Sequence, residues 1–281
     1  MNRITKRFLR LSPRLCNAEI ESRQKFIEDY RVRSTLERFI HSYAQKDLPQ
    51  FSIEHLYKQS TSLDKDLIII NAKEAIEQLL IFNARRLLLF RSLPYLAVLN
   101  PSISESYNLY LESMSLLIAS SFKIPTNTTE NTKFAQETLS KFIDIHTDAL
   151  PGLSKGFGEV LPVVGIDRTR KFLDSHLVER IRMRLIAHQH VELTNTLEGS
   201  IDSVNKYEKG SRFNGVIKLL DLPSVIKKNA DMVNDLFLIK YDKSVTININ
   251  SKLEDNFWLG NNAASEVKPK STTFPYIEFH L

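Results

Sequence analysis

Residues Phe172 to His190 read FLDSHLVERIRMRLIAHQH. The run contains no Gly or Pro, and its length and composition predict a long helix. At about 100° per residue, Leu173, Leu177, Ile181 and Leu185 fall on one arc, and Arg180, Arg184 and His188 fall on the same side at i, i+4 and i+8. A guanidinium does not sit on an apolar face cheaply, because burying an unpaired charge costs several kcal/mol or more. One long arginine can snorkel its head outward along its stem. Two in register with a histidine point to an anion-receiving pocket inside a helical bundle.

The neighbouring segments supply the other rods of such a bundle. Asn71 to Arg91 is rich in Leu, carries Arg85-Arg86 and predicts a helix. Pro94 and the Asn100-Pro101 turn separate it from the next, which Ser102 or Ser104 caps and which runs to about Phe122. A polar connector at 125–130 follows, then a helix from Thr132 to Asp148 that Leu150–Leu161 continues beyond a Pro-marked bend. Val163 to Asp167 leads through a turn into the Phe172–Leu193 helix. Residues 71–193 therefore show the pattern of a four-helix bundle. Ahead of them, 18–45 reads as a helix, and Ser52 caps a short helix with His55 in its first turn.

Beyond the Gly199–Asp202 turn the character changes. Asn205–Phe213 is polar and loop-like, Leu222–Tyr241 reads as a helix, and Val245–Ile249 alternates with period two as a strand does. Leu259–Thr273 reads as a loop and Phe274–Ile277 as a second strand. This order looks like the opening of an α/β domain.

Composition narrows the function classes. The 281 residues include only 8 Gly, well under the usual ~7 %, and no run of 18 apolar residues, so no transmembrane helix is expected. The net charge of +5 is concentrated in residues 1–18, where Arg3, Lys6, Arg7, Arg10 and Arg14 stand with no acid. Without those five the chain carries 33 basic and 33 acidic residues, which argues against a nucleic-acid binder. Residues 1–17, Arg-rich and loosely amphipathic through Ile4, Phe8, Leu11 and Leu15, have the make-up of a mitochondrial presequence or of a basic tail. The single Cys16 lies at its end, so the body offers no disulfide, thiol nucleophile or Cys-based metal site.

Five motifs in order carry a family resemblance. They are Leu93-Pro94 with Pro101-Ser102 and Tyr110-x-x-Ser113; His146-x4-Pro151-x4-Gly156; Phe172-Leu173-Asp174 with Arg180-Ile181, Arg184 and Gln189-His190; Gly199-Ser200-Ile201-Asp202; and Phe274-Pro275-Tyr276-Ile277. Over roughly 66–281 the chain resembles the mitochondrial pyruvate dehydrogenase kinase and branched-chain ketoacid dehydrogenase kinase family. The resemblance implies a mainly α fold: a four-helix-bundle regulatory domain at 18–203, then, at 204–281, the truncated beginning of an α/β ATPase domain of the Hsp90 and histidine-kinase type. It implies a matrix protein that phosphorylates and inactivates a dehydrogenase on a serine of its E1 alpha subunit, using ATP and Mg²⁺ while docked on a lipoyl domain of the E2 core. A non-catalytic helical adaptor of the same complex is the rival reading. Dimerisation is doubtful, since the family pairs mainly through the C-terminal sheet.

The resemblance also implies a site for a small ketoacid, formed by Tyr110, Ser113, His146, Arg180, Met183 and Arg184. Two arginines hold a carboxylate by bidentate, charge-assisted bonds, and Tyr110 and Ser113 would hydrogen-bond the keto oxygen. The family often has an Arg three residues before the His; here Ile143 stands there. Pocket and buried structural ion pair both remain open for Arg180 and Arg184. Glu179 points off their face and Asp174 lies out of i,i+4 reach, so a pair would need a carboxylate from another helix. For His146, ligand or interdomain contact and satisfied core histidine stand side by side. His188 and His190 diverge by about 200° and cannot chelate one ion; His41, His55, His176 and His280 have no partner that the sequence reveals, and no metal site is expected.

The family's nucleotide site needs a helical Glu and Asn, a D-x-G-x-G loop and a Gly-rich lid. After residue 210 only Gly215 and Gly260 occur, so no Gly-rich phosphate cradle is available, and no catalytic or cofactor-binding residue is assigned within these 281 residues. The chain is read as a kinase truncated before its ATP site and inactive alone. Isothermal titration of this polypeptide with Mg-ATP should show no binding tighter than about 100 μM; a tighter constant would overturn that reading.

Overall fold

The computed structural model describes residues 13–47, 51–61, 64–147, 149–202, 214–244 and 273–277. The strand expected at 245–249, the loops at 205–213 and 259–272, and most of the 1–17 leader lie outside them.

The axis of the molecule is α3 (Lys65–Arg91), flanked by α1 (Pro13–Ala44) and the short α2 (Ile53–Thr61). From Leu79 to Ala84 every side chain of α3 is buried. A helix apolar on all sides has to be surrounded. Here α1, α5 (Pro101–Ser121) and α9 (Ile166–Asp202) pack around it. Asp64 caps its start by accepting from the Lys65 N–H, and α1 is fastened alongside by Arg91, which donates from both terminal nitrogens to Glu37 (2.5 and 2.6 Å).

A four-residue turn of helix, α4 (Tyr95–Val98), leads to α5. The cap of α5 is Asn100 rather than the expected Ser102 or Ser104: its Oδ1 accepts from the Ser102 and Ile103 amides at 3.1 and 3.3 Å, with Pro101 in the first turn. Pro fits there because its missing N–H would be unpaired anyway.

The third rod is α6 (Thr128–Lys133), a π-helical stretch at Phe134–Leu139, and α7 (Ser140–Ile145). Asn127 caps it, accepting from the Glu130 amide at 2.8 Å. The π stretch admits one extra residue, and the Ser140 hydroxyl donates to the Ala135 carbonyl at 3.2 Å within it.

The last two rods are α8 (Ala149–Val164) and the 37-residue α9, separated only by Gly165 at φ +83. α9 is longer at both ends than the expected Phe172–Leu193. The turn expected at Gly199–Asp202 is its final helical residues, and the turn expected at 163–167 contracts to one left-handed glycine. α8 lies close on the cap of α5. A Cβ at Gly156 would stand 2.8 Å from Asn100 Oδ1 and 2.9 Å from Ile103.

β1 (Ile217–Asp221) follows, then α10 (Leu222–Tyr241) and β2 (Thr273–Ile277). The sequence showed α10 and β2 but not β1, whose IKLLD lacks clean alternation. The strands pair antiparallel with Ile217 opposite Ile277 and Asp221 opposite Thr273. A small second core of Leu56, Val216 and Ile217, backed by Phe51, Leu185 and Ile277, joins this unit to α2 and α9.

Replacing Gly156 by Ala should destabilise the chain by about 1–3 kcal/mol through overpacking. Gly158→Ala, where nothing lies within 4 Å of the new methyl, should be neutral or stabilising by about 0.5–1 kcal/mol. Urea midpoints at matched slope compare the two, and equal effects would refute the close contact.

Candidate functional site

The buried face of α9 is not the leucine arc that periodicity suggests. Leu177 and Ile181 are 39 % and 52 % exposed, while Phe172, His176, Arg180, Met183, Ile186, Ala187 and His190 are buried. The protein has turned a polar-studded stripe inward, so each buried polar group requires a partner.

Arg180 is 7 % exposed and donates from Nη2 to the Thr147 carbonyl at 3.1 Å. Arg184, one turn on, is half-buried. Both guanidinium groups lie near enough to His146 to act on its charge. His146 closes α7 and stacks tilted on Tyr110, their ring centroids 4.6 Å apart. Tyr110 is fully buried on α5, its hydroxyl 3.4 Å from His176 Nε2. Ser113 lies on the same helix. Its hydroxyl donates to the Tyr110 carbonyl at 3.1 Å and accepts from Asn83 Nδ2 at 2.7 Å, so its one proton is already used within the bundle. Met183, also on α9, is in the main core. Tyr110, His146, Arg180 and Arg184 thus meet where α5, α7 and α9 converge, with Ser113 just behind them.

The sequence reading missed two residues. Arg86 on α3 has no exposed surface and forms an ion pair with Glu179 across the bundle, beside Ser175 Oγ at 3.4 Å and with Phe172 5.6 Å from its guanidinium carbon. His176 packs among Phe90, Tyr110 and Phe172. The signal for Arg86 was an arginine inside the mostly apolar run Leu79–Phe90; its partner Glu179 was weighed only against the arginines of its own helix.

The electrostatics are those of a buried cationic cluster. Burial drives the His146 and His176 pKa values down to about 3, with Arg180 and Arg184 adding to the effect at His146, and Arg86 and Arg180 at His176. Burial pushes the Tyr110 phenol up to about 12, and Arg86 and Arg180 pull the other way. At neutral pH the imidazoles and phenol are therefore uncharged, and Glu179 offsets one of the arginines. Several buried polar atoms have no protein partner among the described residues: Arg86 Nε and Nη1, Arg184 Nε, and both ring nitrogens of His146. Guanidinium groups with free N–H donors are chemically suited to oxyanions. The cluster contains no nucleophile–base pair, and the described residues contain no group of three His, Cys, Asp or Glu that could hold a metal ion. His188 is half-buried, whereas His190 is fully buried between Asn71 and Asn131.

Fold and site together define a helical bundle, built around a buried cluster of Arg, His and Tyr side chains and joined to a strand–helix–strand unit. A family model described as mitochondrial branched-chain alpha-ketoacid dehydrogenase kinase matches residues 50–218, more than half of the chain. The chain belongs to that family. It is 28 % identical over 229 residues to pyruvate dehydrogenase (acetyl-transferring) kinase 1, mitochondrial, of Saccharomyces cerevisiae, a match covering 81 % of this chain and 55 % of the relative. The chain thus spans about half the length of the curated relative it matches. Among the described residues no helix is long and apolar enough to cross a membrane.

The buried histidines make stability pH-dependent. His146, His176 and His190 titrate near 3, 3 and 4 in the folded chain, against an ordinary 6.5. The unfolded chain binds more protons between those values, so stability is complete above about pH 6.5 and drains as pH falls toward 3. Each histidine should contribute a slope of about 1.4 kcal/mol per pH unit in that window, and His176→Phe should remove roughly a third of the combined slope. Denaturant titrations between pH 7.5 and 5 measure it; a flat profile in the parent chain would be the contrary result.

Proposed function

We propose that Tyr110, Ser113, His146, Arg180, Met183 and Arg184 form the effector site of a mitochondrial protein-serine kinase, and that its ligand is a small 2-ketoacid. In this reading residues 18–203 are the regulatory bundle and 204–281 open the ATPase domain. The complete protein phosphorylates and inactivates the E1 alpha subunit of pyruvate or branched-chain ketoacid dehydrogenase in the mitochondrial matrix, docked on the lipoyl domain of the E2 core. The exposed apolar side chains of α10, Met232, Leu236 and Ile239 among them, favour a larger α/β unit that would cover them.

The observation that carries the reading is the burial of Arg180 against Tyr110 and His146 with Arg184 alongside. The guanidinium groups would take the ligand carboxylate. The Tyr110 hydroxyl, protonated throughout the physiological range, would donate to the keto oxygen, and the Phe142 and Phe90 rings around His146 and Tyr110 would surround the side chain. Neutral imidazole at His146 can serve as donor or acceptor without adding charge. ATP and Mg²⁺ follow from the family's activity. These residues do not fit a nucleotide site, because they lack a Gly-rich loop and the described part has no acidic metal cluster, so no phosphoryl-transfer step is assigned to them.

Calorimetry of the chain with pyruvate and with branched-chain 2-ketoacids tests the site. Loss of a charge-assisted pair in Arg184→Ala should weaken binding by about 2–3 kcal/mol, or roughly 30–150-fold. Binding unchanged in that variant would remove the assignment.

A further inference from the structure

The second core contains one buried polar side chain whose hydrogen bonds run to two other elements. Gln189, five residues beyond Arg184 on α9, is 1 % exposed. Its Nε2 donates to Ser60 Oγ at 3.2 Å, and its Oε1 accepts from the Val216 N–H at 2.9 Å. The orientation of this amide is dictated by its neighbours. The Val216 N–H can only donate. The Ser60 hydroxyl spends its proton on the Leu56 carbonyl at 2.8 Å and so can only accept from Gln189. The Ser60 carbonyl in turn accepts from the Asn214 amide at 2.9 Å and from Asn214 Nδ2 at 3.1 Å. Between them, Gly215 adopts φ +79, and a Cβ there would stand 2.4 Å from Gln189 Oε1. The end of α2, the middle of α9 and the lead into β1 therefore close on one carboxamide, sealed by Leu56, Val216 and Ile217.

The next residue does the same inside the bundle. His190 Nε2 faces Asn131 Oδ1 at 2.9 Å, Asn131 Nδ2 donates to Thr194 Oγ1 at 2.9 Å, and His190 Nδ1 faces the Asn71 amide at 3.3 Å. α9 is thus pinned to α3 and α6 by one residue and to β1 by the residue before it. A rigid helix held this way cannot shift near Arg180 and Arg184 without carrying Val216 with it.

We propose that Gln189 is a positioning residue that locks the strand opening the 204–281 unit onto α9, so that anion binding at Arg180 and Arg184 is felt at β1. The second half of this proposal rests on the ketoacid reading of the site; the first half does not. Only a neutral group with one donor and one acceptor satisfies the geometry. Glutamate keeps the acceptor for Val216 but loses the donor to Ser60 and brings a charge into a sealed space.

Hydrogen exchange read by mass spectrometry on the full chain, with and without 3-methyl-2-oxobutanoate, tests it. In Gln189→Ala, and in Gln189→Glu, the peptide containing Val216 should exchange at least tenfold faster than in the parent chain. Ketoacid affinity by calorimetry should stay within threefold, because Gln189 does not touch the anion site. The ligand-dependent change in exchange at Val216 should disappear in both variants. Unfolding penalties of Gln189→Ala and Gly215→Ala should be markedly non-additive in the double variant, since each disrupts the same contact. Unchanged Val216 exchange in Gln189→Ala, or additive penalties, would overturn the lock. A ligand response at Val216 that survives in Gln189→Ala would overturn the relay. If the parent chain binds no ketoacid, the site reading and the relay fall together, and the exchange of Val216 with the double-variant cycle still decides the lock.

Discussion

An arginine with no exposed surface has to meet a carboxylate, and in this chain that requirement joins the two longest buried helices. Arg86 stands in the last third of α3 and Glu179 in the first half of α9, and the α9 stripe around their ion pair faces inward. Desolvating a guanidinium costs several kcal/mol, and removing its partner would strand a buried charge. The pair therefore acts on specificity: it selects the rotation of α9 that brings Arg180 toward Tyr110 and His146 and lets Leu177 and Ile181 face outward.

That rotation explains how much was legible beforehand. The rods were readable because α3, α5 and α9 have the length, the scarcity of Gly and the terminal Pro or polar caps of helices. Order and family were readable because several short motifs recur at fixed places along the chain, and the matched segment at 50–218 covers most of them. The facing of α9 was not. An apolar arc normally marks the inside, but here Arg86, Tyr110, His146 and Asn131 supply partners for the polar stripe, and each comes from another element. Pairings across the bundle leave no periodic trace in one helix. For the same reason His176 had no identifiable partner until Tyr110 was beside it. β1 escaped notice because a five-residue strand held by Gln189 and Gly215 depends on tertiary contacts more than on its own composition.

The candidate site also shows how a protein keeps two arginines charged in its interior. Neutral imidazoles and a protonated phenol lie beside them and provide hydrogen-bonding groups without adding charge of their own. Glu179 balances Arg86. What remains is a pair of arginines, Arg180 and Arg184, beside buried neutral hydrogen-bonding groups.

The wide π stretch at Phe134–Leu139 sets the phase of its rod. By admitting one extra residue in a rod that is otherwise α-helical, it advances everything after it by about 100°. His146 lies downstream of that step and Asn131 upstream. One rod can thereby serve two differently oriented clients, the His190 network at its start and the Tyr110 ring near its end. A single-codon deletion within 134–139 would straighten the rod and put those two contacts out of phase, so the length of this segment is constrained even where its residue types are not.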